Sequence, residues 1–170
     1  MSTQLFITDT QLVRNSIIDG SVDIDKYKQY IKIAQQIHIQ NYLGTKLYDK
    51  LDSLIVSGDI NTAQYLDYHN LLDDYIKPML IHFAMVDYIP FAAFQISNGG
   101  VFKHRSENSE VATKDEVELL VQKHREFAQF YTRRFIDYMS FNQNLFPEYY
   151  AASNEDMYPD RDATFMGIVL

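Results

Sequence analysis

The chain has 170 residues, 46% of them hydrophobic and 22% charged. That balance suits one globular domain with its own core and excludes a disordered chain. A formal net charge of −8 without any dense basic run excludes a surface built to grip DNA, and the absence of cysteine excludes disulfides and cysteine–zinc sites.

The opening "MSTQLFITDT" has neither the basic start nor the apolar run of a secretory signal. "LFIT" predicts a short strand or arm, and Thr8 or Asp9 caps a brief helix that ends near "DGS". The next helix starts around Asp23. Ile24, Tyr27, Ile31, Ala34 and Ile37 recur at steps of three and four residues and mark its buried face. It runs to about Tyr42 and stops at Gly44, because glycine tolerates positive φ. Thr45 then caps "KLYDKLDSLIVS", which Gly58 closes. "NTAQ" at 61–64 predicts a variant capping box for a helix bearing Tyr65, Tyr68, Leu72 and Tyr75. Pro78 lacks an amide hydrogen and kinks or restarts that helix.

Residues 79–94 are apolar on nearly every side, the mark of a central helix surrounded by others. His82, Asp87 and Pro90 interrupt the run, so it reads as a buried helix and not a membrane span. His82 and Asp87 are therefore buried polar groups in need of partners, which Arg125, Arg133 or Arg134 could supply to the carboxylate. An irregular loop follows at about 97–112, within which "VFKH" could form one strand of a short ribbon. "TKDE" at 113–116 is a capping box that opens a long helix to about residue 141. Its predicted core stripe is Val117, Leu120, His124, Phe127, Tyr131, Phe135 and Tyr138. Pro147 prevents continuation, and no periodicity follows. The fold class expected is all-α: a bundle of four to five helices over 1–147, one irregular loop, and an extended C-terminal arm over 148–170.

No glycine-rich phosphate loop, G-x-S-x-G elbow or H-E-x-x-H motif occurs. His69 and Asp73, four apart on a helix, could reach one metal, but that pair reads better as an exposed helix pair. The expectation is a protein without catalytic residues, cofactor or metal. Two segments instead suggest protein contacts. The loop carries Phe102, Lys103, His104 and Arg105, a basic and aromatic cluster on an acidic chain. The arm carries Tyr149, Tyr150 and Tyr158 and ends in "ATFMGIVL", with Phe165, Met166, Ile168, Val169 and Leu170. Aromatic and aliphatic side chains outside a core are frequent in interfaces.

Three stretches together carry a resemblance: "YIKIAQQIHIQNYLGTKLYDKL" at 30–51, "LLDDYIKPMLIHFAMVDYIPFAAFQISNGGVFKH" at 71–104 and "SENSEVATKDEVELLVQKHREFAQFYTRRFIDYM" at 106–139. The chain resembles small virion proteins of Bacteroidetes phages, the crAss-like phages among them, that are similar to head-to-tail adaptors, also called connector or ring proteins. The resemblance covers about residues 5–150. It implies a helical protomer in a closed ring, commonly of twelve copies, beneath the portal protein. Such a ring extends the DNA channel without sequence-specific binding and docks neighbouring ring or tail proteins. It implies a virion location at the portal–tail junction, reached from the host cytoplasm, with no membrane. The rival reading is a small helical ligand-binding or regulatory protein, homodimeric, with its tail folded back on its own core.

Overall fold

In a computed structural model of the protein, residues 4–97, 100–103, 112–151 and 156–162 are described. The protein is all-α, with one short ribbon. The elements are α1 (Asp9–Arg14), α2 (Ile24–Ala34), α3 (Gln40–Ser57), α4 (Leu66–Leu71), α5 (Lys77–Tyr88), α6 (Lys114–Phe141) and α7 (Pro147–Tyr150), with β1 (Phe94–Ser97) and β2 (Gly100–Lys103) between α5 and α6. The apolar helix α5 is the axis of the bundle: Met79, Leu80, Phe83, Ala84 and Met85 are buried, and α2 and α6 both pack along it.

The segment "LFIT" is not a strand. Phe6 and Ile7 plug the core, and the backbone beside them is held by Gln35. The Gln35 carbonyl accepts from the Phe6 amide at 2.7 Å, and its amide donates to the Gln4 carbonyl at 2.7 Å and the Tyr48 hydroxyl at 2.8 Å. A buried amide is thereby satisfied at both ends, the condition for burying one without loss. Thr8 and Gln11 complete a capping box for α1.

The helix expected over 23–42 is interrupted by a π-helical turn at Gln35–Ile39. The wider turn accommodates an extra residue and shifts the helical phase, which turns Ile37 outward and Ile39 inward. Ile24 is also exposed, at the first turn. A second π-helical turn, Leu72–Ile76, precedes Pro78. Proline donates no hydrogen bond to the carbonyl four residues back, which belongs to Asp74. That oxygen instead accepts from Arg134 Nη1 at 3.4 Å, and the guanidinium lies 4.7 Å over the Tyr75 ring. The turn at "NTAQ" forms successive 3₁₀ turns, Asp59–Asn61 and Ala63–Tyr65, without the expected amide cap. Gly58 closes α3 at φ 81°.

The predicted capping box of α6 is present: the Glu116 amide donates to Thr113 Oγ1, and the Glu116 carboxylate accepts from the Thr113 amide at 2.8 Å. These contacts hold the Glu116 carboxyl below its ordinary range, chiefly through the Thr113 backbone. Thr113→Ala is expected to lower stability by about 1 kcal/mol, measured by urea denaturation. An unchanged midpoint would show that the first turn of α6 contributes nothing.

The bundle does not end at residue 147. Proline suits the first position of a helix, where its missing amide costs nothing, and Pro147 opens α7 instead of only ending α6. Phe146 and Tyr149, three residues apart, both enter the core, and Tyr149 is only 2% exposed. Their rings meet Tyr68 and Phe135 edge-on. The Tyr68 hydroxyl donates to Glu148 at 2.7 Å, and the Tyr150 hydroxyl to the Met139 carbonyl at 2.6 Å. The expected arm boundary at residue 148 is therefore corrected: α7 belongs to the bundle.

Candidate functional site

Helix α3 contains a backbone opening. Gly44 has φ 71° and ψ 158°, values inside a helix that only glycine adopts freely. In an unbroken helix the Thr45 amide would donate to the Asn41 carbonyl. Here the two are separated, and both are taken by the segment 156–162. The Thr45 amide donates to the Met157 carbonyl at 3.0 Å, and the Asp160 amide donates to the Asn41 carbonyl at 2.8 Å. Thr45 Oγ1 accepts from the Met157 amide at 3.1 Å. Pro159 lies on the bare Cα of Gly44, so close that an added Cβ would fall 2.6 Å from its Cδ. Thr45, expected to cap the helix after Gly44, serves this junction. The tail thus replaces the missing turn of helix and is fastened to its own bundle through residue 160.

Arg161 extends the same junction, with its guanidinium 4.9 Å over Tyr150 and 5.4 Å over Tyr149. Of the arm residues expected in contacts, Tyr149 is core, Tyr150 is half-buried, and Tyr158 is exposed. Burial pushes the Tyr149 phenol up to about 12. Phe165, Met166, Ile168, Val169 and Leu170 lie outside the described residues.

The loop expected at 97–112 is partly regular. β1 and β2 pair antiparallel, with Gln95 opposite Phe102 and Phe94 opposite Lys103. Phe102 and Lys103 are thus placed on a ribbon, while His104 and Arg105 lie outside the described residues.

His82 and Asp87 are half-buried on α5, and each meets a histidine. Asp87 carboxylate oxygens lie 3.2 and 3.4 Å from His38 Nε2, and the His38 ring stacks on Phe83. This partner, 49 residues away in sequence, was not among those expected. His82 Nδ1 lies 3.1 Å from His124 Nδ1, so one ring donates and the other accepts. Burial, then the neighbouring His124, lowers His82 to about 4, and burial lowers His124 as well. His69 Nε2 lies 3.4 Å from the Asp73 carboxylate, which pairs with Lys77 at 2.6 Å. Among the described residues, no group of three or more potential ligands is arranged to hold a metal ion, and no helix is long and apolar enough to cross a membrane.

The largest departure from the sequence reading lies on α6. Leu120 and Phe127, expected in the core stripe, are exposed, and the buried positions are His124, Ala128, Thr132, Phe135 and Met139. Leu119, Phe130 and Phe141 face outward too; Phe130 is 62% and Phe141 86% exposed. Helical spacing gathers these five on one side. They form an apolar ridge along α6, interleaved with exposed Lys123, Glu126, Arg133 and Asp137. The sequence held the signal: α6 carries more large apolar residues than one buried stripe can use.

A groove of about 480 Å³ lies between α2 and α6, lined by Tyr30, Ile33, Val86, Phe91, Val121 and Arg125 among others. A second, of about 610 Å³, lies between the start of α6 and the Pro90–Phe94 stretch. The model of a family of unknown function, DUF6712, matches residues 39–157. No curated protein and no solved structure matches the chain.

Proposed function

The chain belongs to this DUF6712 family, whose function is unknown, and we propose that it is a structural virion protein of a tailed phage without catalytic activity: a head-to-tail adaptor. Its copies form a closed ring beneath the portal protein, extend the DNA channel and dock tail proteins. The observation that carries the reading is the α6 ridge, large apolar side chains exposed on the outer side of the helix. Such a surface needs a protein partner. The virion setting rests on the resemblance of the segments 30–51, 71–104 and 106–139 to phage adaptors. The family match over 39–157 spans most of those segments. A net charge of −8 suits a channel wall that does not hold DNA.

The fold shortens the arm available to partners. Met157 and Asp160 are fastened beside Gly44, which leaves "ATFMGIVL" as the docking segment of this reading. Burying its five large apolar side chains gains on the order of 10 kcal/mol, and ordering eight residues costs roughly 8 to 16 kcal/mol. One such contact is weak alone and effective only when repeated around a ring.

Cryo-electron microscopy of particles containing the chain tests the reading, with a ring at the portal–tail junction as the expected result. Deletion of residues 163–170 is expected to leave the melting temperature of the purified protein within about 2 °C of the full chain's and to block incorporation into particles. Heads that join tails normally without the protein would overturn the adaptor role.

A further inference from the structure

The segment that fills the Gly44 opening has a direction. The Thr45 amide meets the Met157 carbonyl, and the Asn41 carbonyl meets the Asp160 amide. As the segment advances from 157 to 160, the helix beneath it runs back from 45 to 41. The chain at Asp160 is therefore heading from α3 toward α2. Asp162 still lies by the start of α3. Its amide donates to Asp160 Oδ1 at 2.9 Å, and burial first, then the carboxylates of Asp160 and Asp162, push the Tyr42 phenol up to about 12.

Ahead of that point lies an apolar row. Ile37 and Ile33 precede Asn41 at steps of four residues, and both are exposed. In an ordinary α-helix a step of four drifts round the axis by about 40°. The π-helical turn at Gln35–Ile39 holds more residues per turn, which removes most of that drift and sets Asn41, Ile37 and Ile33 nearly in line. The row runs into the groove between α2 and α6, which Ile33 lines together with Tyr30 and Phe91. Those two rings stack with centroids 5.7 Å apart, and Phe91 is exposed.

Length and chemistry fit the residues that follow. From Asn41 to Ile33 is roughly 12 Å along the axis, at 1.5 Å per residue. Eight extended residues span roughly 26 Å. Residues 163–170 can thus follow the whole row and enter the groove of their own copy. "ATFMGIVL" carries no charge. The two charged residues of the groove, Asp87 and Arg125, have opposite signs, and the Asp87 carboxylate already meets His38.

We propose that in the free chain residues 163–170 lie back along Ile37 and Ile33 and place apolar side chains in the Tyr30–Phe91 groove of the same copy. The contact lies on the outside of the bundle and adds nothing to its core. It goes beyond the adaptor reading and does not depend on it. The tether at Asp160 spares the segment the cost of association. Burial gain and ordering cost still nearly cancel, so a partner with a better apolar surface draws the segment out and uncovers the groove.

The chain has no tryptophan and no cysteine, so introduced probes report without background. In Phe165→Trp, the emission is expected at shorter wavelength than in a peptide of residues 161–170 with the same substitution, and unchanged on dilution. Adding Ile37→Asp should move it to the wavelength of the peptide, while circular dichroism shows the helices intact. In a second measurement, Ile33→Cys/Met166→Cys should close an intramolecular disulfide roughly tenfold faster than Asp49→Cys/Met166→Cys, whose helix position lies as many residues from Asn41 in the opposite direction.

Emission equal to that of the peptide at every concentration would overturn the proposal. So would a shift that appears only on concentration, which puts the segment on a second copy, or one that survives both Ile37→Asp and Ile33→Asp, which puts it elsewhere on the bundle. Equal disulfide rates would have the same force. The adaptor reading fails separately: particles without the chain at the portal–tail junction leave this contact standing, and a ring at that junction stands whatever the emission shows.

Discussion

Gly44→Ala is expected to lower the melting temperature by roughly 5–10 °C, corresponding to about 2–3 kcal/mol for a chain of this size. Two costs combine. A side chain at φ 71° and ψ 158° occupies a backbone region that is nearly forbidden to it, at about 1–3 kcal/mol. The new methyl group also meets Pro159 Cδ at 2.6 Å, Cγ at 2.7 Å and the backbone nitrogen at 2.9 Å. Pro159 cannot step aside cheaply, because the flanking Met157 and Asp160 are hydrogen-bonded to Thr45 and Asn41. The segment must therefore leave the junction, exposing the Asn41 carbonyl and the Thr45 amide to water. Limited proteolysis is expected to cut Gly44→Ala after Arg161 faster than the unaltered chain. Pro159→Ala separates the two costs. In a double-mutant cycle, the pair should recover the part due to collision with the proline ring and retain the part due to backbone strain and to the contact with the backbone nitrogen. A melting temperature for Gly44→Ala within about 1 °C of the original would show that the junction carries no stability.

That junction also shows what could be read in the residues alone. Gly44 was legible as a place where helical φ fails, and Thr113 with Glu116 as a helix start, because both signals are local. The occupant of the Gly44 opening was not legible. Pro159 is more than a hundred residues away, and nothing near Gly44 specifies it. The same limit applies to Asp87 and His38, and to Gln35, whose partners sit at residues 4, 6 and 48. Phase is the second limit. A stripe drawn at steps of three and four through α6 included Leu120 and Phe127, but the core lies closer to His124, Ala128 and Phe135. With aromatic residues on two sides of a helix, period alone does not say which side is buried. The π-helical turn at Gln35–Ile39 breaks the period itself, which is why Ile37 was assigned to the wrong face. The exposed ridge was hidden in part for a related reason: two of its five residues, Leu120 and Phe127, fall in the predicted core stripe.

The His82–His124 pair is expected to make stability fall on mild acidification. The two Nδ1 atoms lie 3.1 Å apart, between α5 and α6. Their hydrogen bond needs one donor and one acceptor, which two neutral rings provide and two imidazolium rings cannot. The His82 ring stacks on Tyr131 and lies beside Phe127, aromatic neighbours that carry no formal charge. Burial first, and the nearby His124 second, hold His82 at about 4, below the ordinary 6.5. The unfolded chain therefore takes up a proton at this position near pH 6.5, while the folded chain resists until about pH 4. The stabilisation is complete above pH 6.5 and is lost as the pH falls through that window. For His82, moving from pH 7.5 to pH 5 is expected to remove at most about 2 kcal/mol, less where solvent screens this half-buried ring, and His124, lowered in the same direction, adds to the loss. Carboxylates contribute mainly below this range, so urea midpoints at pH 7.5 and pH 5 isolate the histidines. The double variant His82→Phe/His124→Leu keeps apolar volume on both helices and removes both titrations. Its absolute stability can move either way, but the difference between its two midpoints should be much smaller than in the unaltered chain. Equal pH dependence in the two proteins would place the acid sensitivity elsewhere and leave the pair as packing alone.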